Sequence, residues 1–247
     1  MASITVIDDD GIAVVRIARP PANAMDPDLL AEGLRVAEEL RAAEPDAVVL
    51  TGSGGFFSGG LDLNIIPTLS REGQAQLVND VNRIFTAWYG FPRPVVTAVN
   101  GHAVAGGLIL ALCGDLRVGV PGAKLGLTEV KVGVPFPVAA MAIVRAEVPR
   151  RLLRTLVLGA GLVDTEVLHS AGVIDKLAGP DSVLDRAREI ARELRVHPRR
   201  VYEIVKAQLR ADALAEIEAG IEHDPTAEAW LGDDTAAAAA AVLERDG

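Results

Sequence analysis

The sequence predicts an α/β fold, a core of buried strands and crossover helices followed by a helical C-terminal subdomain. Three observations carry this. Short runs of branched aliphatic residues alternate with stretches of helical spacing, the rhythm of strand–helix–strand crossovers. Two of the strands run straight into glycine-rich turns. Near residue 195 the composition shifts and only helical patterns follow, so the core is expected over residues 1–194 and the subdomain over 195–247. Half of the 247 residues are hydrophobic, enough for a sizeable core, and with 4% aromatic residues that core is mainly aliphatic.

In chain order, Ser3–Val6 and Ile12–Ile17 flank Asp8-Asp9-Asp10-Gly11, a hairpin signal with a slightly long turn. Asp26 followed by Pro27 starts a helix that runs through Leu29, Leu30, Leu34, Ala37 and Leu40 to Glu44-Pro45-Asp46. Ala47–Thr51 is a short buried strand. Arg71–Tyr89 is an amphipathic helix with Leu77, Val81, Ile84, Phe85 and Trp88 on one side. Val95–Asn100 reads as a strand covered on both faces, Leu108–Cys113 as a short buried helix, and Asp115–Val120 as another strand. Beyond Pro137 the pattern is mostly helical: Val138–Val148, Arg150–Leu158, Asp164–Ala171 capped by Asp164, Asp181–Val196 and Pro198–Ala219. Val173–Lys176 fits a short strand or a turn, and the alanine-rich Asp233–Arg245 fits a helix.

Two stretches stand out chemically. In Pro94–Gly114 a strand delivers Gly106 and Gly107 to the start of a helix, where amides lack internal partners and lie at the positive end of the dipole. Such a place suits developing negative charge, and it equally suits a tight strand–helix crossing. Gly52–Leu63 repeats the arrangement with five glycines after a strand; it lacks the Gly-Lys-Ser/Thr ending of a phosphate loop and the spacing of a dinucleotide fingerprint. Asp62 there fits a local cap or turn better than an acid catalyst. Glu129 lies among Leu125, Leu127, Val130 and Val132. A carboxylate in that company is expected to titrate above its free value and to be able to act as a general base, unless it is simply a solvated loop residue.

The 34 acidic residues exceed the 24 basic ones by 10, which argues against nucleic acid as a partner. The one cysteine, Cys113, excludes an intrachain disulfide, offers no metal cluster and reads as a buried inert thiol. No metal site is expected. With no basic-then-apolar leader and no apolar run of membrane-spanning length, a cytoplasmic protein away from membranes is expected.

Taken together, two strand–glycine–helix sites followed by one glutamate in apolar company resemble the crotonase superfamily, the enoyl-CoA hydratase/isomerase fold. Phe57-Ser58-Gly59-Gly60-Leu61-Asp62-Leu63 resembles its Phe-Ser-Ala-Gly-x-Asp-Leu segment, and Asn100–Gly107 its Asn-Gly-x-Ala-x-Gly-Gly-Gly segment. Gly114–Val118 and Leu168–Asp175 resemble later family segments, so the likeness covers nearly the whole chain. The resemblance implies a crotonase-like ββα spiral core, a C-terminal subdomain used for trimerisation, and assembly as a homotrimer or hexamer. It implies an acyl-CoA thioester substrate that carries its own coenzyme A, with no separate cofactor. By position, Leu61 and Gly106 would supply the oxyanion N–H groups and Glu129 the base. Gly60, Leu61, Asp62, Leu63, Asn64, Gly106 and Ile109 would contact substrate.

The family's hydratases carry a further glutamate three residues after the oxyanion glycine, where this chain has Ile109. One carboxylate facing an apolar wall suits moving a proton within the substrate better than adding water. Pro20–Met25, Leu125–Glu129 and Pro135-Phe136 also resemble single-glutamate isomerases. The reaction expected is therefore conversion of 3-enoyl-CoA to 2-enoyl-CoA; the alternatives are a hydratase working with Glu129 alone and an acyl-CoA-binding protein with weak turnover. Ala105 replaces the first of the family's three glycines. His102 is expected to be a loop residue, and Arg16, Lys124 and Lys131 are candidates for coenzyme A phosphates.

Overall fold

A computed structural model of the chain describes residues 3–65 and 68–230. The expected helix Asp233–Arg245 lies outside the described residues. The hairpin forms from β1 (Ile4–Asp9) and β2 (Ile12–Ile17). Its turn is tighter than expected, because Asp8 and Asp9 stay in the strand and pair with Ala13 and Ile12. Only Asp10 and Gly11 turn the chain, both at positive φ, as two-residue hairpin turns require. Helix α1 (Pro27–Ala43) starts where Asp26 accepts the Leu29 N–H and Pro27 sets the first turn.

Strands β3 (Ala47–Thr51), β5 (Val95–Val99), β7 (Leu116–Gly119) and β10 (Lys176–Leu177) complete a six-stranded sheet in the order β1-β2-β3-β5-β7-β10, parallel from β2 onward. Alternate residues serve two cores. Val48, Leu50, Val95 and Val99 face α1, α2 (Arg71–Tyr89) and their neighbours, while Val49, Val96, Ala98 and Val118 face α7 (Val183–Leu194). Coverage on both faces is why these strands read as continuous apolar runs.

A second sheet was not anticipated from the sequence. It consists of β4 (Phe56–Ser58), β6 (His102–Val104), β8 (Lys124–Gly126) and β9 (Leu162–Asp164), with β4, β6 and β8 parallel and β9 antiparallel. Helix α3 (Gly106–Leu112) starts two residues earlier than expected. Helices α4 (Val138–Glu147) and α5 (Arg150–Val157) lie where expected. The side chain of Asp164 does not cap α6 (Thr165–Ser170); it pairs instead with Lys124.

The single helix expected over Pro198–Ala219 is two, α8 (Arg199–Leu209) and α9 (Ala211–Gly220), parted at Arg210. The buried Arg210 guanidinium reaches the Tyr89 and Gly114 carbonyls and the Asp115 carboxylate. Lys206 on α8 also donates to Asp115, and Tyr202 joins it through its hydroxyl. The chain then passes a short 3-10 turn, Ile221–His223, into α10 (Ala227–Trp230). Among the described residues no helix is long and apolar enough to cross a membrane.

Candidate active site

The parallel strands β4, β6 and β8 are neighbours in the second sheet, and their C-terminal ends open side by side. The chain leaves β4 through Gly59-Gly60-Leu61, β6 through Ala105-Gly106, and β8 through Thr128-Glu129. All three exits line one cavity of about 690 Å³. Its size lies within the range of ligand sites.

The first exit is fixed by Met25. Met25 N–H donates to the Gly60 carbonyl at 2.7 Å and the Met25 carbonyl accepts from Asp62 N–H at 2.9 Å. This parallel bridge turns the Leu61 N–H to the opposite side, where it has no acceptor among the described residues. Asn23 anchors the same loop: fully buried, it donates to the Ser53 and Phe56 carbonyls, and its own carbonyl accepts from Ser58 Oγ.

The second exit is the start of α3. Ala105 accepts at its carbonyl from Leu108 and Ile109, leaving Gly106 N–H at the first helical position with no acceptor among the described residues. The two exits touch. Gly60 has φ +83°, and a Cβ there would stand 2.8 Å from the Val104 carbonyl and 3.1 Å from Gly106 N. A side chain at Gly107 would overlap the Ser58 carbonyl. Glycine is thus required for the approach of the two N–H groups. Ala105 sits at φ 50°, ψ −125°, a region costly for any residue with a Cβ.

Glu129 is 5% exposed and lines the cavity, so the solvated-loop reading is set aside. Burial raises its carboxyl to about 7, and its own amide and that of Thr128 oppose the rise. Its Oε2 is buried without a hydrogen-bond partner among the described residues. Ile109, one helical turn after Gly106, is buried and lines the same cavity, as do Val132, Val134 and Ala140. Leu61, Asp62, Leu63 and Asn64 also line it. Gly60 does not contribute to the lining; its Cα is pressed against α3.

Other expected residues settle elsewhere. Asp62 closes a local turn by accepting from Asn64 N–H at 3.1 Å, and its second oxygen faces Arg19. His102 is in strand β6 and not in a loop; its Nδ1 accepts the Lys124 N–H at 2.8 Å. Arg16 donates to the Gly52 carbonyl and Lys124 to Asp164, which leaves Lys131, on the cavity wall, as the remaining phosphate candidate of the three. Cys113 is fully buried and its thiol is pushed up to about 12, so it stays protonated. No group of three or more metal-binding side chains occurs among the described residues.

The enoyl-CoA hydratase/isomerase family model matches residues 8–233. The chain belongs to the enoyl-CoA hydratase/isomerase family. A probable enoyl-CoA hydratase of Mycobacterium avium is 33% identical over 211 residues, 85% of this chain and 81% of that protein. An apo Mtb enoyl-CoA isomerase superposes with TM-score 0.83 at 31% identity, covering 89% of this chain and 96% of the other. Human mitochondrial Δ3-Δ2-enoyl-CoA isomerase superposes with TM-score 0.91 over 99% of this chain and 98% of its own; at 23% identity it speaks to the crotonase fold alone.

Sequence reasoning missed Trp230, which lines the cavity from α10. A four-residue helix carries no periodicity to mark its inward face.

Proposed function

We propose that this enzyme shifts the double bond of a 3-enoyl-CoA to the 2-position, with Glu129 carrying the proton. The thioester oxygen accepts from Leu61 N–H and Gly106 N–H. The Glu129 carboxylate removes a proton from C2, and the electron pair delocalises onto that oxygen as a dienolate. Glutamic acid then returns the proton to C4, leaving the double bond between C2 and C3. Both amides gain most as charge grows on the oxygen, so they favour the transition state over the bound substrate. A carboxyl that titrates near 7 can both take and give a proton at neutral pH.

The observation that carries the isomerase choice is Ile109. The wall one turn from Gly106 is apolar, so Glu129 has no second carboxylate from Ile109 with which to activate water. The names of relatives such as the Mycobacterium avium protein favour the second reading, a hydratase in which Glu129 serves both proton roles. Purified enzyme offered 3-enoyl-CoA and 2-enoyl-CoA separately decides between them. Isomerisation without hydration is expected, and Glu129→Gln is expected to lose a factor of about 10² to 10⁴. Hydration alone supports the second reading, and saturable binding without turnover of either substrate leaves an acyl-CoA-binding protein.

The enzyme is further proposed to work as a homotrimer or hexamer, with residues 195–247 supplying contacts between copies, and to reside in the cytoplasm. The outer face of α8 supports the assembly, since Val201, Val205 and Leu209 are all exposed there.

A further inference from the structure

Two kinds of side chain line the cavity. Asp62, Asn64 and Lys131 bring polar side chains to it, whereas Val81 and Phe85 of α2, Val132, Val134 and Ala140 are apolar. An acyl tail held at the Leu61 and Gly106 N–H groups packs against the apolar set. There α2 and α4 are bridged by the chain segment that ends in α10, and what that segment presents to the cavity is Trp230, 3% exposed.

Trp230 is held by a built anchor. Asp224 accepts from Asn82 Nδ2 on α2 and from Val138 N–H at the start of α4, both at 2.8 Å, and from Thr226 N–H and Oγ at 2.8 and 2.7 Å. Asn82, fully buried, accepts in turn from Ala139 N–H at 2.9 Å. The Thr226 carbonyl accepts from Ala229 and Trp230 N–H. α10 is thereby packed on α2, which brings Val81 and Phe85 to the same cavity. Among the described residues the indole Nε1 has no hydrogen-bond partner, and the ring offers the cavity its bulk.

We infer that Trp230 is the specificity-determining residue for acyl chain length, a stop in the cavity wall beside α2 that limits the tail to chains short enough to end against the indole. Asp224 is its positioning residue. The inference rests on the acyl-CoA reading of the cavity but on neither choice of reaction.

Its test is therefore a binding ladder: calorimetric titration of the full chain and of Trp230→Phe, Trp230→Leu and Trp230→Ala with saturated acyl-CoAs from four to sixteen carbons, roughly the span over which each added methylene contributes measurably. Wild type is expected to gain affinity with length up to a limit and then lose it. That limit is expected to stay nearly in place in Trp230→Phe and to move to longer chains through Trp230→Leu to Trp230→Ala, at least tenfold in affinity for the first chain wild type rejects. Should Trp230→Ala fail to fold, Trp230→Leu carries the comparison. Asp224→Asn is expected to blur the limit without moving its centre, which a merely structural role would not do. A limit identical in all folded variants overturns the inference while leaving the acyl-CoA reading intact. Absence of binding at every length in wild type overturns both.

Discussion

Glu129 sets two opposite pH dependences. In the proposed role of base it must be ionised, so kcat/KM is expected to fall as pH drops below about 7, with a midpoint there instead of near 4.3. A pH–rate profile at subsaturating 3-enoyl-CoA reads this directly, and a midpoint near 4 removes Glu129 from the role. For stability the sign reverses. The folded carboxyl titrates above its unfolded counterpart, so between the two values the unfolded chain binds fewer protons and stability declines as pH rises. The loss begins near 4.3, is complete about a unit above 7, and amounts to about 4 kcal/mol. Glu129→Gln is expected to flatten that decline in urea melts taken across the same range while slowing turnover by a factor of about 10² to 10⁴. Ala105 carries a different load. Its positive φ costs about 1–3 kcal/mol, partly offset by the 0.5–1 kcal/mol that glycine's extra freedom costs on folding. Ala105→Gly is expected to stabilise by about 1 kcal/mol in denaturant unfolding; a loss of stability would mean that the methyl packs better than the strained backbone implies.

At the scale of elements, a site drawn from Leu61, Gly106 and Glu129 is brought together by three strands of three residues each. Strands this short have no readable period, so the second sheet was invisible while the residues at its ends were not. Gly60, Gly107 and Glu129 announce themselves by chemistry: glycines where a Cβ would collide, and an acid in apolar company. The longer elements were legible for two reasons: α1 and α2 present apolar residues at the helical repeat, and β3 and β5 are nearly unbroken apolar runs. The break between α8 and α9 was illegible for the opposite reason. Its cause lies about a hundred residues away, at Asp115, which accepts from Val95 N–H, Tyr202, Lys206 and Arg210. Burial pulls Lys206 down to about 8 even though Asp115 opposes the shift, so the cation is kept by its partner. Asp115→Ala leaves Lys206 and Arg210 buried without that charge and is expected to cost about 3–5 kcal/mol, whereas Asp115→Asn retains part of the hydrogen bonding and costs less. Equal, small losses from both substitutions in chemical denaturation would show that α8 is held by packing instead.

The whole molecule places α8 inside out. Lys206 and Arg210 are buried against the core while Val201, Ile204, Val205 and Leu209 face outward, Leu209 at 84% exposure. A helix with its apolar stripe in water gains by covering it, and the proposed trimer or hexamer would do so. Association works against charge: each copy carries a net −10, so three copies gather −30 and repel one another. The attraction must therefore be apolar and the opposition electrostatic, which gives the assembly a defined salt response. Screening shortens the reach of the repulsion from about 30 Å at 0.01 M to about 8 Å at 0.15 M and leaves apolar contacts in place. Light scattering on micromolar protein is expected to show tighter association as salt is raised, the reverse of an assembly held by ion pairs. Val205→Glu combined with Leu209→Glu adds charge where the apolar stripe is most exposed and is expected to yield folded monomers with unchanged circular dichroism. A wild-type monomer at every salt concentration, or an assembly indifferent to both substitutions, would mean that the stripe on α8 is covered by something other than a second copy of the chain.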